Sequence, residues 1–109
     1  MSGITTHVLD LTSGGPAFGV RVRLERGDSG TVIWDQTTDE DGRIRLQSGR
    51  EIEPLRYRLV FDTGAYWRKR GMESFFPVTT IEFEVREATQ HYHVPLLMSP
   101  FGYSTYRGS

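Results

Sequence analysis

Three histidines and two of the arginines are the side chains best suited to chemistry in this 109-residue chain. His91 and His93 stand two apart in the segment HYHV, so in an extended strand both imidazoles lie on one face. Such a pair can hold zinc if a third ligand joins it from another strand. The chain has only three histidines, so a histidine-only site would need His7 as well. Imidazole is also the natural general base near neutral pH. Arg43 follows the Asp39-Glu40-Asp41-Gly42 turn, and Arg107 lies in the closing Tyr106-Arg107-Gly108-Ser109. Guanidinium groups can fix a planar, anionic or amide-rich ligand and stabilise developing oxyanion charge. Each residue has a plainer reading too: His7 as an isolated strand histidine, Arg43 as a solvated loop arginine, the last residues as a frayed end. Taken together the set suits metal-free hydrolysis of a small polar ring.

Other chemistries are poorly served. There is no cysteine, which excludes disulfides, thiolate zinc sites and thiol nucleophiles. Ser104 and Ser109 lack the glycine pattern of a nucleophile elbow. Gly14-Gly15 runs into Pro16, and no GxGxxG or GK[ST] phosphate loop occurs. A net charge of −1 argues against nucleic acid as the main partner. No apolar run approaches the ~18–20 residues that span a membrane, and the first ten residues do not read as a signal peptide. The expectation is a cytoplasmic protein; a leader removed before residue 1 would place it in the periplasm instead.

The elements that must position these groups are short strands. The length, with 37% hydrophobic and 25% charged residues, fits a single folded domain over residues 1–109. Ile4 to Leu11 reads as a strand with Ile4, Thr6 and Val8 on one face and Thr5, His7 and Leu9 on the other. Ser13-Gly14-Gly15-Pro16 reads as a loop. Val20 to Glu25 and Thr31 to Thr37 form a hairpin around Gly27-Asp28-Ser29-Gly30. The Asp39 to Gly42 turn delivers Arg43 at the start of a short extended piece. Leu55 to Phe61 precedes a short helix over about Gly64 to Arg70, capped by Asp62 or Thr63 and ended by Gly71. Tyr66 and Trp67 on this helix read as packing residues. Val78 to Arg86, His91 to Leu97 and Phe101 to Tyr106 complete the set. Seven or eight strands with one small helix indicate an all-β, two-sheet antiparallel sandwich. Arg21, Arg23, Glu25, Glu82 and Glu84 read as solvated strand faces; Asp10 and Asp41 have no partner that spacing identifies.

Several segments also resemble the 5-hydroxyisourate hydrolase family of transthyretin-related proteins. They are Thr6-His7-Val8-Leu9-Asp10, Asp41-Gly42-Arg43, Ala65-Tyr66-Trp67 and, above all, HVPLLMSPFGYSTYRGS from His93 to Ser109. The similarity covers essentially the whole chain, and the terminal Tyr-Arg-Gly-Ser separates the family's enzymes from transthyretin proper. The resemblance implies a transthyretin-like sandwich assembled as a homotetramer, a dimer of dimers, with sites at the dimer–dimer interface. It implies hydrolysis of a cyclic C–N amide bond of 5-hydroxyisourate in urate degradation, giving 2-oxo-4-hydroxy-4-carboxy-5-ureidoimidazoline, with neither metal nor organic cofactor. By position it implies a catalytic set of His7, Arg43, His93 and Ser109, with Tyr106, Arg107 and Gly108 binding substrate. His91 is left as a rim residue. Alternation agrees with this: His7 shares a face with Leu9, His93 with Pro95 and Leu97, and Tyr106 with Ser104, so three strands can line one channel wall. The rival readings are a non-catalytic carrier using the same channel, a zinc hydrolase built from the three histidines, and a bare adhesive sandwich.

Overall fold

The structure, a computed structural model, describes residues 3–44 and 52–109. Two sheets pack face to face. One is built on β1 (Gly3–Asp10), flanked by β8 (His91–Ser99) and then β9 (Gly102–Thr105). The free side of β1 is shared by two short partners. β5 (Arg43–Ile44) pairs with Thr6 and His7, and β2 (Gly15–Pro16) with Leu9 and Asp10. The other sheet runs β4 (Val32–Thr37), β3 (Arg21–Arg26), β6 (Arg56–Phe61), β7 (Thr79–Glu84). The helix α1 (Thr63–Lys69) follows β6.

Period-two alternation drives this arrangement. Ile4, Thr6, Val8 and Asp10 face the interior of β1, while Thr5, His7 and Leu9 are half-buried on its outer side. Tyr57, Leu59 and Phe61 bring the β6 contribution, and Val94, Leu96 and Met98 that of β8. Tyr66 and Trp67 are buried, so the helix is fastened to the sandwich by its aromatic face. Burying a large apolar side chain is worth roughly 1.5–3 kcal/mol, which makes this seam a main fixture of the helix. Asp62 occupies the helix N-cap without a side-chain hydrogen bond, and Gly71 follows the C-cap with φ of 70°. Arg21, Arg23, Glu25, Arg58 and Glu82 lie on the outer side of the second sheet and pair among themselves or with Asp35 and Arg56. Surface pairs of this kind add little stability each.

Two features differ from the sequence-based expectation. The sheets are not wholly antiparallel: β1 and β8 run parallel over eight residue pairs, from Gly3–His91 to Asp10–Met98. They belong to opposite ends of the chain, so no hairpin dictates their relative direction. The Ser13 to Pro16 loop also contains the two-residue strand β2. Asp10, 3% exposed, organises it. Its Oδ1 accepts hydrogen bonds from Thr12 N, Thr12 Oγ1 and Ser13 N, and its Oδ2 accepts one from Tyr66 Oη at 2.7 Å. Burial pushes the Asp10 carboxyl pKa up, but these four donors outweigh it and hold the pKa below the usual value. Desolvation, and then the same contact, push Tyr66 up to about 12.

Candidate active site

The Asp39–Arg43 turn is templated by one carboxylate. Asp39 Oδ1 accepts from Asp41 N at 2.9 Å and Arg43 N at 3.0 Å, while Asp39 N donates to Arg43 O. Gly42 closes the turn with φ of 74°, in the left-handed region that glycine tolerates. A β-carbon there would also collide with the Val8 carbonyl. The Gly42 carbonyl accepts from Val8 N at 2.7 Å, which locks the turn onto β1. The result sets Arg43 directly across from His7 in the β1–β5 register.

On the other side of β1, the parallel register sets Thr5 beside His93 and Gly3 beside His91. Thr5 Oγ1 lies 2.8 Å from His91 Nε2 and 2.8 Å from His93 Nδ1, so one hydroxyl touches both imidazoles. The chain then returns to this place after β9. Gly108 forms a bridge with His93, its N–H donating to His93 O at 2.8 Å. The approach is so close that a β-carbon on Gly108 would stand 2.6 Å from His93 Cδ2. Glycine is needed here for space rather than for an unusual backbone angle.

These elements enclose an open cavity of about 390 Å³ lined by Thr5, Thr6, Arg43, Ile44, His91, His93 and Ser109. Among the described residues, only Ile44 in this lining is apolar. His93 is held below its ordinary pKa of 6.5, first by burial, then by the Arg43 guanidinium, His91 and His7. His7 is also held below 6.5, by burial and by Arg43, against smaller opposing effects of the Asp41 carbonyl and the Asp39 and Asp41 carboxylates. Both imidazoles are therefore neutral at pH 7, beside a permanent cation. A neutral base next to a guanidinium can take a proton from water while the cation stabilises negative charge forming on a carbonyl oxygen. Among the described residues, no group of three or more His, Cys, Asp or Glu is placed to hold a metal ion.

Residues from four separate segments thus converge: Arg43 from the turn, His7 from β1, His91 and His93 from β8, Ser109 from the tail. His7 flanks the cavity beside Arg43 rather than lining it. Tyr106 and Arg107 go elsewhere. They line a smaller cleft of about 210 Å³ with Ile81, Phe83, Tyr92 and Val94. The Arg107 guanidinium stacks 4.5 Å over the Tyr92 ring and donates to Gln90 Oε1 at 3.0 Å. In this chain Arg107 therefore anchors the tail, and Gly108 and Ser109 reach the histidines. Sequence reasoning passed over Thr5, Asp39 and Tyr92. The Asp-x-x-Gly spacing of the turn was the one available signal, for Asp39.

The model of the HIUase/Transthyretin family matches residues 4–108. The chain belongs to that family. A 5-hydroxyisourate hydrolase of Caulobacter vibrioides is 48% identical, with all of both chains covered. Among solved structures of family members, the Klebsiella pneumoniae 5-hydroxyisourate hydrolase superposes with a TM-score of 0.90 at 40% identity, covering 99% of this chain and 100% of that one. A sea bream transthyretin in complex with thyroxine gives 0.89 at 33% identity, covering 97% and 94%. The same scaffold is thus found in a 5-hydroxyisourate hydrolase and in a transthyretin in complex with thyroxine.

Proposed function

We propose that this protein hydrolyses 5-hydroxyisourate to 2-oxo-4-hydroxy-4-carboxy-5-ureidoimidazoline, a step of urate degradation, without a metal ion. The observation that carries the reading is the meeting of Arg43, His91, His93 and Ser109 around one polar cavity, with His7 at its edge. One neutral imidazole removes a proton from water as the oxygen attacks the ring carbonyl. Arg43 stabilises the tetrahedral oxyanion, and an imidazole returns the proton to the departing nitrogen as the C–N bond breaks. Base and oxyanion contributions are each worth roughly 10²–10³-fold in rate.

A carrier function is the second reading, prompted by the transthyretin likeness. An apolar aromatic ligand would be poorly matched to the described lining, which has two threonines, an arginine, two histidines and a serine around a single isoleucine. We place the working enzyme in a tetramer, as the family resemblance implies. The open mouth of the cavity is what a second dimer would cover. Tyr106 and Arg107, which face away from their own chain's histidines, would meet substrate only from across such an interface.

Freshly generated 5-hydroxyisourate decays spontaneously and can be followed in the ultraviolet. Adding the protein should accelerate the decay, and exhaustive chelation should leave that rate unchanged. Decay at the spontaneous rate would defeat the hydrolase reading, and loss of activity on chelation would defeat its metal-free form.

A further inference from the structure

A hydroxyl group has one proton and two lone pairs. Thr5 Oγ1 can therefore donate to only one of its two imidazole neighbours, His91 Nε2 and His93 Nδ1, each 2.8 Å away. At least one of the two contacts must be made by the imidazole's own N–H, which couples the tautomers of the two rings. When Thr5 donates to His91, His93 carries its proton on Nδ1 and leaves Nε2 with a free lone pair, the form of a base. When Thr5 donates to His93, that ring carries its proton on Nε2, the form of an acid.

We propose that Thr5 and His91 form a proton relay that switches His93 between these two forms during turnover. The inference rests on reading the cavity as a hydrolytic site. At the start His93 Nδ1–H donates to Thr5 Oγ1, and Thr5 donates to His91 Nε2. His93 Nε2 takes a proton from water while the water oxygen bonds to the ring carbonyl carbon. The Nδ1 proton of His93 passes to Thr5 Oγ1 as the Thr5 proton passes to His91 Nε2. His93 is now neutral with its proton on Nε2, and the positive charge rests on His91. As the C–N bond breaks, the leaving nitrogen takes the Nε2 proton. The relay runs back from His91 through Thr5 to His93 Nδ1, and both rings end neutral. The balance is one water added across the C–N bond.

The placement of the groups supplies the reason for such a relay. His93 is half-buried and faces Arg43 on β5, His7 and Thr5 on β1, His91 on its own strand, and Ser109 of the tail. A lasting positive charge there is opposed both by desolvation and by the guanidinium. His91 is exposed, so water can solvate the charge once it has moved. Thr5 acts through His93 and is a positioning residue.

Thr5→Val removes the hydroxyl while keeping the β-branched shape that suits a strand, and Thr5→Ser keeps the hydroxyl. Thr5→Val should lower kcat by about 10- to 100-fold with KM within about threefold, and Thr5→Ser should restore most of it. His91→Gln should cost about as much as Thr5→Val, and the double variant no more than either, because the residues act as one unit. Additive losses would overturn the relay. Independently of any substrate, the imidazole ¹⁵N shifts followed against pH should show His93 titrating differently in Thr5→Val from the wild type. Unchanged titration of His93 in Thr5→Val would overturn the proposal, whatever the kinetics. A wild-type protein that left 5-hydroxyisourate decay unaltered would instead remove the hydrolase reading, a result the nitrogen shifts cannot produce.

Discussion

Replacing Gly108 by alanine tests whether the tail sets the position of His93. The added β-carbon would stand 2.6 Å from His93 Cδ2, 3.3 Å from Cγ and 3.4 Å from Pro95 Cγ. Ordinary carbon contacts begin near 3.4 Å, so the closest pair is about 0.8 Å too short. Gly108 is not among the glycines with positive φ, so alanine brings no backbone strain and the effect isolates the steric one. Either the ring yields, losing its alignment with Thr5 Oγ1, or the tail yields, losing the 2.8 Å bond from Gly108 N to His93 O. A displacement near 1 Å at a reacting group costs on the order of 10²-fold, which corresponds to about 2.7 kcal/mol of transition-state stabilisation. The variant should therefore show kcat/KM for 5-hydroxyisourate lowered about 10²-fold, read by ultraviolet decay. Its melting temperature should stay near wild type, because the clash lies at a chain end outside the core. Gly15→Ala serves as the control: its nearest neighbour would be Ser13 Oγ at 3.9 Å and its φ is not positive. Activity of Gly108→Ala within twofold of wild type would refute the claim that the tail positions the imidazole.

Three further outcomes are expected. His7→Ala and His93→Ala should each lower turnover by roughly 10²-fold or more with far-ultraviolet circular dichroism unchanged; near-normal turnover in either removes that residue from the mechanism. Because His7 and His93 are held below 6.5 when folded, activity should persist below that pH and fall only as the depressed values are crossed. The unfolded chain binds these protons first, so stability should also decline as pH drops below 6.5; a pH–rate profile whose acid limb lies above 6.5 would contradict both. Tyr66→Phe removes a donor from the buried Asp10 carboxylate and should cost roughly 1.5–3 kcal/mol in denaturant unfolding. Asp10 stabilises the fold while ionised, so acid unfolding of the variant should begin at higher pH than in wild type.

Much of the fold was legible because its cues are local. Alternation separated Ile4, Thr6 and Val8 from Thr5, His7 and Leu9, and the burial pattern of β1 follows it. Gly27 to Gly30 and Asp39 to Gly42 announced their turns, and the aromatic pair Tyr66–Trp67 marked the buried side of the helix. Strand ends shifted by one or two residues, since the ladders, not the propensities, decide where pairing stops. The direction of β8 beside β1 was not legible, nor was β2 inside its loop, because both depend on partners chosen in three dimensions. Arg107 illustrates the same limit. Its residue type suits an anionic ligand, and spacing gave no sign that within its own chain it stacks on the Tyr92 ring and bonds the Gln90 side chain.

The sequence by itself determined the inventory: three histidines, the turn-borne Arg43, a Tyr-Arg-Gly-Ser ending, no cysteine, and the alternating strands that had to carry them. Tertiary structure alone decided which of these meet. Thr5 and His91 are 86 positions apart in the chain, and only the parallel register of β1 on β8 puts that hydroxyl against two imidazoles. Residue spacing conveys which face a side chain takes on its own strand. Which strand lies beside it is set by burial of the common core, a property of the whole chain.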